Sequence, residues 1–273
     1  MIMLSPRAIT VEKEHEDKEL TLGYLTFCPF VVYSVKMINF EWMEALEMDR
    51  TITAIVPVKG NSTRLPNKNI LPFADSNLLI HKIRQLKQVE GITDIIVSSD
   101  SDEMLQMGRG EGVTAIKRPT QYADESVPFG MFLEYISDEM PNEHIMWACA
   151  TSPLVEPYLY EKAIKTYFVK LEEGYDSLIT CCPYQTYLLD EKGPLNFSMG
   201  LAHKNSEQLP MLYHFTNGIN LAPRIKLKEW HYNYGPNAYR LLINKREAAD
   251  IDDVYDYEMA KAMYAMTDPK PTR

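Results

Sequence analysis

The chain has 273 residues, 45% of them hydrophobic, enough to pack one large domain or two small ones. Its formal charge of −10, from 28 basic and 38 acidic side chains, argues against nonspecific binding to nucleic acid or to an acidic membrane. Four cysteines, Cys28, Cys149, Cys181 and Cys182, form no CxxC pair and no zinc-spaced cluster, which fits a reducing, cytoplasmic setting.

Residues 1–50 differ in character from the rest of the chain. A charged run, Val11 to Glu19, precedes an uncharged aromatic stretch, Leu20 to Val35, that ends at Lys36. This stretch is shorter than the roughly 20 residues a membrane-spanning helix needs, and Pro29 interrupts it. Its acidic flank is the reverse of the basic start of a signal peptide. The segment reads as a terminal appendage, or as a mis-assigned leader before a start at Met37, Met43 or Met48. No membrane association is expected.

From Thr51 onward strand and helix patterns alternate over 51–273. Ile52 to Val58 reads as a strand. Leu79, Ile80, Ile83, Leu86 and Val89 recur at helical spacing until Gly91. Ile92 to Val97 is a second strand, after which Ser99 and Asp102 suit a capping box for a short helix toward Gly108. Val113 to Ile116 is a third strand, Ser126 to Met140 a helix and His144 to Cys149 a fourth strand. Tyr158 to Leu171 is a helix, and Ser177 to Cys182 a fifth strand. Such alternation predicts an α/β fold, a mainly parallel sheet covered on both faces by helices. After Pro183 the rhythm breaks. Residues 183–215 form an excursion of the kind that serves as a lid, specificity segment or oligomer contact. Gly218 to Ala222 and Tyr239 to Ile243 then read as strands, and Val254 to Met266 as a last helix.

The loop after the first strand carries the strongest chemical signal. Lys59, Arg64 and Lys68 place three cations beside Gly60, Asn61, Ser62 and Thr63, whose small side chains let backbone amides approach an anion. A loop beyond a strand's carboxyl end suits a polyphosphate, although a solvated basic turn has the same composition. It is neither a Walker motif nor GxGxxG. A second signal is Asp250-Ile251-Asp252-Asp253. Extended backbone would put Asp250 and Asp252 on one face, as a pair for magnesium; the same residues could instead cap the last helix. Thr151-Ser152-Pro153-Leu154, directly after the fourth strand, faces the same crevice or is a plain polar turn. Together, loop and carboxylates suit phosphoryl or nucleotidyl transfer. His203, His214 and His231 lack metal spacing, and Tyr184, Tyr187, Tyr213 and Tyr239 read as packing residues.

Six blocks in order extend the reading. They are Val58-Lys59-Gly60-Asn61-Ser62-Thr63-Arg64-Leu65-Pro66-Asn67-Lys68-Asn69, then Val97-Ser98-Ser99-Asp100, and Arg118-Pro119 with Ala123-Asp124-Glu125-Ser126. Thr151 to Leu154, Leu209-Pro210 with Asn217-Gly218, and Asp250-Ile251-Asp252 complete the series. This pattern resembles the CMP-sialic acid synthetases (acylneuraminate cytidylyltransferases) and relatives that activate other 3-deoxy-ulosonic acids, over residues 51 to about 266. The resemblance implies a Rossmann-like, GT-A-like nucleotidyltransferase fold and a homodimer, with the excursion supplying part of the dimer and sugar site. It implies CTP and a sugar acid as substrates, giving a CMP-sugar and pyrophosphate, and Mg2+ held by Asp250 and Asp252. Lys59, Ser62, Arg64 and Lys68 would meet phosphates, Asn69 the nucleotide, and Ser99 and Asp100 the nucleoside. Thr151 and Ser152 would line the sugar side, with Asn217 and Gly218 on the substrate strand.

This chain departs from the pattern at three places. Lys59 replaces an arginine, keeping charge without the bidentate fork. Cys149-Ala150 replaces a Gln-Pro pair, and His214-Phe215-Thr216 stands where an arginine is usual. Lys204, His214 and Arg224 are the remaining candidates for a sugar carboxylate. Alternatives to cytidylyl transfer are another base or acceptor on the same fold, or a noncatalytic nucleotide-binding homologue.

Overall fold

Strand β1, Ile52–Pro57, is buried at every residue but its last, so it can only sit inside a sheet covered on both faces. In this computed structural model residues 50–123 and 126–266 are described. The chain divides into two units, Met1–Asp49 and Arg50–Arg273, and the sheet belongs to the second. The readings made for residues 1–49, Cys28 included, and for Asp124 and Glu125 lie outside the described residues.

The other main elements are α1 (Leu78–Leu86), β2 (Asp94–Ser99), α2 (Asp102–Gly110), β3 (Thr114–Lys117), α3 (Phe129–Asp138) and β4 (His144–Trp147). They continue with α4 (Pro157–Glu172), β5 (Ser177–Tyr184), β6 (Leu212–Pro223), α5 (Arg224–Trp230), β7 (Ala238–Leu242) and α6 (Val254–Ala265). The seven strands form one sheet in the order β7-β5-β6-β4-β1-β2-β3. All neighbours run parallel except β6, which is antiparallel to both β4 and β5. Ala54 lies opposite both Ile95 and Met146, so β1, β2 and β4 end together at one edge.

Alternation along β1 divides the core. Ile52, Ala54 and Val56 pack with Leu79, Ile83, Tyr160 and Tyr167 of α1 and α4. Ile55 faces the other way, onto Phe132, Leu133, Ile136 and Leu227 of α3 and α5. A third cluster joins Phe73, Leu78, Leu154, Ile251 and Ala260. Phe73 belongs to a small hairpin, Pro72–Phe73 with Ser76–Asn77, that leads into α1. This cluster ties the start of α1, the turn after β4 and the entry to α6 into one apolar knot.

Several boundaries differ from the sequence reading. Helix α2 is capped by Ser101, whose Oγ accepts from the Met104 N–H at 3.5 Å, and not by Ser99, which is wholly buried at the strand end. Helix α1 stops at Leu86 and is capped at its start by Asn77, which accepts from the Ile80 N–H at 2.9 Å. Strand β6 is 12 residues long, more than twice the expected run, because it crosses a bulge between Phe215 and Asn220. Within 183–215 lie the ends of β5 and β6, a hairpin of Leu189–Asp190 with Gly193–Pro194, and two short 3₁₀ turns.

Candidate active site

Three segments converge beyond the carboxyl ends of β1, β2 and β4. The first is the loop from Lys59 to Asn69. The Val58 N–H donates to the Ser98 carbonyl at 3.0 Å, which carries the sheet one residue past β1. Gly60 then passes so close to the β2 end that a Cβ there would lie 3.1 Å from the Ser101 Cβ. Its N–H donates to Asp100 Oδ1 at 2.8 Å. Buried Asn69 folds the loop's far end back, its Nδ2 donating to the Lys59 carbonyl at 3.1 Å. Asn61, Thr63 and Arg64 are exposed, and Lys59, Gly60, Ser62 and Lys68 are half-buried. Asn67, at φ 55°, makes the left-handed turn that aims Lys68 inward.

The second segment is Asp250 to Asp253. Ile251 is wholly buried in the third cluster, worth about 1.5–3 kcal/mol, and its N–H donates to the Thr151 carbonyl at 2.9 Å. That anchor fixes its two acidic neighbours. Asp252 Oδ1 accepts from Arg64 Nη2 at 2.8 Å and from Lys68 Nζ at 3.1 Å. Burial pushes the Asp252 carboxyl up, but the Lys68 hydrogen bond and the charges of Lys68 and Arg64 outweigh it and hold the carboxyl below its usual value. Asp250 goes the other way. Burial dominates and raises it, Asp252's charge adds to the rise, and a hydrogen bond with Thr151 opposes it. Asp250 Oδ1 is buried without a hydrogen-bond partner.

The choice between metal pair and helix cap resolves residue by residue. Asp253 is the N-cap of α6: its carboxylate accepts from the Tyr255 and Asp256 N–H groups at 2.8 and 3.0 Å, and Asp256 accepts in return from the Asp253 N–H at 3.1 Å. The capping carboxylate is therefore neither Asp250 nor Asp252. Their donor set, one orphaned buried oxygen beside a second carboxylate, fits a hard cation completed by phosphate oxygens and water. Among the described residues no group of three or more His, Cys, Asp and Glu forms an all-protein cage.

The third segment is the turn Thr151 to Leu154. Its Ser152 is buried with Oγ unpartnered. Next to it, the bulge in β6 carries Asn217 at φ 54°, with Nδ2 donating to Cys149 Sγ at 3.7 Å. Asn217 Oδ1 accepts from Asn220 Nδ2 at 2.7 Å and from Asn233 Nδ2 at 3.4 Å. Gly218 is needed where β6 presses on the turn: a Cβ would meet Val155 Cγ2 at 3.2 Å.

Among the remaining residues, Ser99 is turned inward, its Oγ accepting from the Ser101 N–H at 3.0 Å, so it braces the β2 end while Asp100 holds the loop. Arg118 is also a brace, donating from Nη2 to the Ser98 carbonyl at 2.9 Å over the Phe132 ring. Arg224 is excluded as a partner for a sugar carboxylate. It follows antiparallel β6, pairs with Glu143 at 3.3 Å and so lies at the entry to β4, the opposite edge from the site. His203 stacks on Tyr187, and His231 caps α5 against Gly130, both packing roles. Cys149, Cys181 and Cys182 are free thiols.

One site neighbour was missed from sequence. Lys82 is wholly buried, donating to the Ser152 carbonyl at 2.9 Å and to the Tyr160 hydroxyl at 2.7 Å. The signal was there: Lys82 interrupts the apolar stripe Leu79, Ile83, Leu86 at helical spacing.

The chain is similar to known cytidylyltransferases. A profile of the family described as cytidylyltransferase matches residues 53–191. An N-acylneuraminate cytidylyltransferase of Escherichia coli is 26% identical over 219 residues, covering 78% of this chain and 52% of the relative. The chain thus spans about half the length of that relative. A pseudaminic acid cytidylyltransferase of Campylobacter jejuni is 24% identical over 227 residues, covering 77% of this chain and 94% of the relative. Among solved structures, a CMP:2-keto-3-deoxy-manno-octonic acid synthetase in complex with CTP superposes with a TM-score of 0.60 at 16% identity, over 79% of this chain and 98% of that one. A cytidylyltransferase from Leptospira borgpetersenii gives 0.55 at 16% identity, over 82% and 90%. These likenesses establish the Rossmann-like nucleotidyltransferase fold.

Proposed function

The chain belongs to the cytidylyltransferase family, and from that premise we propose that it transfers CMP from CTP to the anomeric hydroxyl of a sialic-acid-like 3-deoxy-ulosonic acid, with release of pyrophosphate. The observation that carries this reading is the meeting of Arg64 and Lys68 with Asp252, beside the orphaned oxygen of Asp250. Cations suited to a triphosphate and carboxylates suited to a metal occupy one place. The names of the relatives, which act on N-acylneuraminate and pseudaminic acid, support a sugar acid as acceptor.

In the transfer the anomeric oxygen bonds to the α-phosphorus. The bond from that phosphorus to the bridging oxygen breaks, pyrophosphate leaves with the electron pair, and the hydroxyl proton passes to solvent. Lys59, Arg64 and Lys68 bind and orient the outer phosphates, with backbone amides of 61–63 beside them, the Gly60 N–H being held by Asp100. For this, Arg64 and Lys68 exchange part of their hold on Asp252 for phosphate oxygens. Asp250 and Asp252 would hold magnesium, which when bound would supply charge neutralisation at the phosphates. Asn69, Ser99 and Asp100 keep the loop in shape for the nucleotide. Thr151, Ser152, Asn217 and Gly218 form the acceptor side, where Cys149 takes the place of a glutamine amide. The same reading takes the protein as a cytoplasmic homodimer, with residues 183–215 contributing to the contact; light scattering of the purified protein tests this.

The deciding experiment supplies each nucleoside triphosphate with magnesium and a panel of 3-deoxy-ulosonic acids, and measures pyrophosphate release. Release with CTP and one acid is expected. Release with another base or acceptor only would reassign the substrates. Clear CTP binding with no release would instead favour a noncatalytic homologue, the reading that Cys149 in place of glutamine supports.

A further inference from the structure

Helix α1 aims three polar side chains at one turn. Lys82 Nζ donates to the Ser152 carbonyl at 2.9 Å, Gln85 Nε2 donates to the Pro153 carbonyl at 2.8 Å, and His81 Nε2 lies 3.2 Å from that same carbonyl. Lys82 also donates to the Tyr160 hydroxyl at 2.7 Å, and its ammonium lies 5.0 Å from the Tyr160 ring centre. A wholly buried ammonium is expensive, and an apolar side chain would fill the space without that cost. The turn it grips leads directly to the carboxylate pair: the Thr151 carbonyl accepts from the Ile251 N–H at 2.9 Å, and Thr151 hydrogen-bonds Asp250.

We propose that Lys82 is a positioning residue, a buried ammonium that fixes the Thr151–Pro153 turn and, through Thr151, the placement of Asp250 and Ile251. The consequence for catalysis rests on the transfer chemistry proposed above; the consequence for the Ile251 hydrogen bond does not. Burial pushes Lys82 down to about 7, with Cys149 at the end of β4 and Glu156 ahead of α4 opposing the shift. The other titratable groups facing it are Tyr160 on α4 and His81 on its own helix. As pH rises through that value the ammonium becomes an amine, and its charge-assisted bonds lose about half their strength. The hold on the turn loosens with it.

The test compares the unaltered protein with Lys82→Met and Tyr160→Phe. It reads kcat and KM for CTP from about pH 6 to pH 9, and hydrogen exchange at the Ile251 amide. Lys82→Met is expected to lower kcat about tenfold to a hundredfold with KM for CTP changed less than about threefold. It should also erase the inflection near pH 7 and speed exchange at Ile251. Tyr160→Phe keeps the Ser152 bond but takes an acceptor from the ammonium, so the inflection moves to lower pH. A folded Lys82→Met protein with unchanged kcat, pH profile and Ile251 exchange overturns the proposal, as does an inflection that Tyr160→Phe leaves in place. If no acceptor supports turnover, faster Ile251 exchange in Lys82→Met still upholds the positioning role and unchanged exchange still overturns it, so the two readings fail separately.

Discussion

Replacing Asp252 by asparagine separates chemistry from stability. The change removes one charge and keeps an oxygen where Oδ1 accepts from Arg64 and Lys68. The Arg64 pair is 64% and 46% exposed, so it contributes about 0.5 kcal/mol after solvent screening. Lys68 is 15% exposed, and its pair contributes about 1 kcal/mol at most. The expected loss of stability is therefore about 1 kcal/mol, or about 2–4 °C in Tm for a unit of this size. Turnover should fall far more, by about 10²- to 10³-fold, because the carboxylate would hold a metal against the reacting phosphates. Pyrophosphate release against magnesium concentration, run beside a thermal melt, reads both quantities. The acid limb supplies a further check. Asp252 sits below its usual value of 3.8, so its contribution is full above that value and is lost as pH falls through the depressed one. The stability difference between the two proteins should thus vanish in strong acid. A kcat within about threefold of normal with the same magnesium dependence would refute the metal assignment.

Asp250→Asn should behave oppositely in stability. Burial raises Asp250, so its ionised form weakens the fold above the raised value and costs nothing below 3.8; without metal at neutral pH the variant should melt higher, although turnover is lost. Magnesium at about 100 times its Kd should stabilise the unaltered protein by about 2.7 kcal/mol and the variant much less, which calorimetry would show. Gly60→Ala would press a Cβ against Ser101 at 3.1 Å; a cost of about 1 kcal/mol and a several-fold rise in KM for CTP are expected from melts and steady-state rates. A chain beginning at Met48 should remain soluble and keep its activity, since the sheet and all three site segments lie within residues 50–266; loss of turnover in it would make residues 1–47 part of the working enzyme.

How much could be read in advance depends on how far each signal reaches along the chain. Strand β1 and its loop were legible because an apolar run meets a cluster of cations within a few residues. The Asp250–Asp252 pair was legible as an alternative, since alternation is local, but only the fold shows that the helix cap is Asp253 and that the Ile251 anchor fixes the two other carboxylates. Strand β6 was read short because Thr216 and Asn217 interrupt it; the bulge that accommodates them is held by Thr180, whose Oγ1 lies 2.9 Å from Thr216 Oγ1. Helix α5 was missed for its length, seven residues after a proline. Arg224 looked eligible for the acceptor side until the reversed direction of β6 carried it to the far edge. Lys82 is the clearest lesson of this kind: its stripe position was visible, but its partners at Ser152 and Tyr160 are about 70 and 80 residues away and meet it only in the fold.

The cap at Asp253 has a consequence for how this stretch can change over time. Serine, threonine or asparagine would serve α6 in its place, since each offers an acceptor to the same backbone amides. On the proposed metal assignment the two aspartates before it enjoy no such freedom, because a hard cation would need their charge and not merely an oxygen. Three acidic residues within four positions therefore answer to two different tolerances. Drift at Asp253 should pass unnoticed in activity, and drift at Asp250 or Asp252 should leave a protein that folds and does nothing.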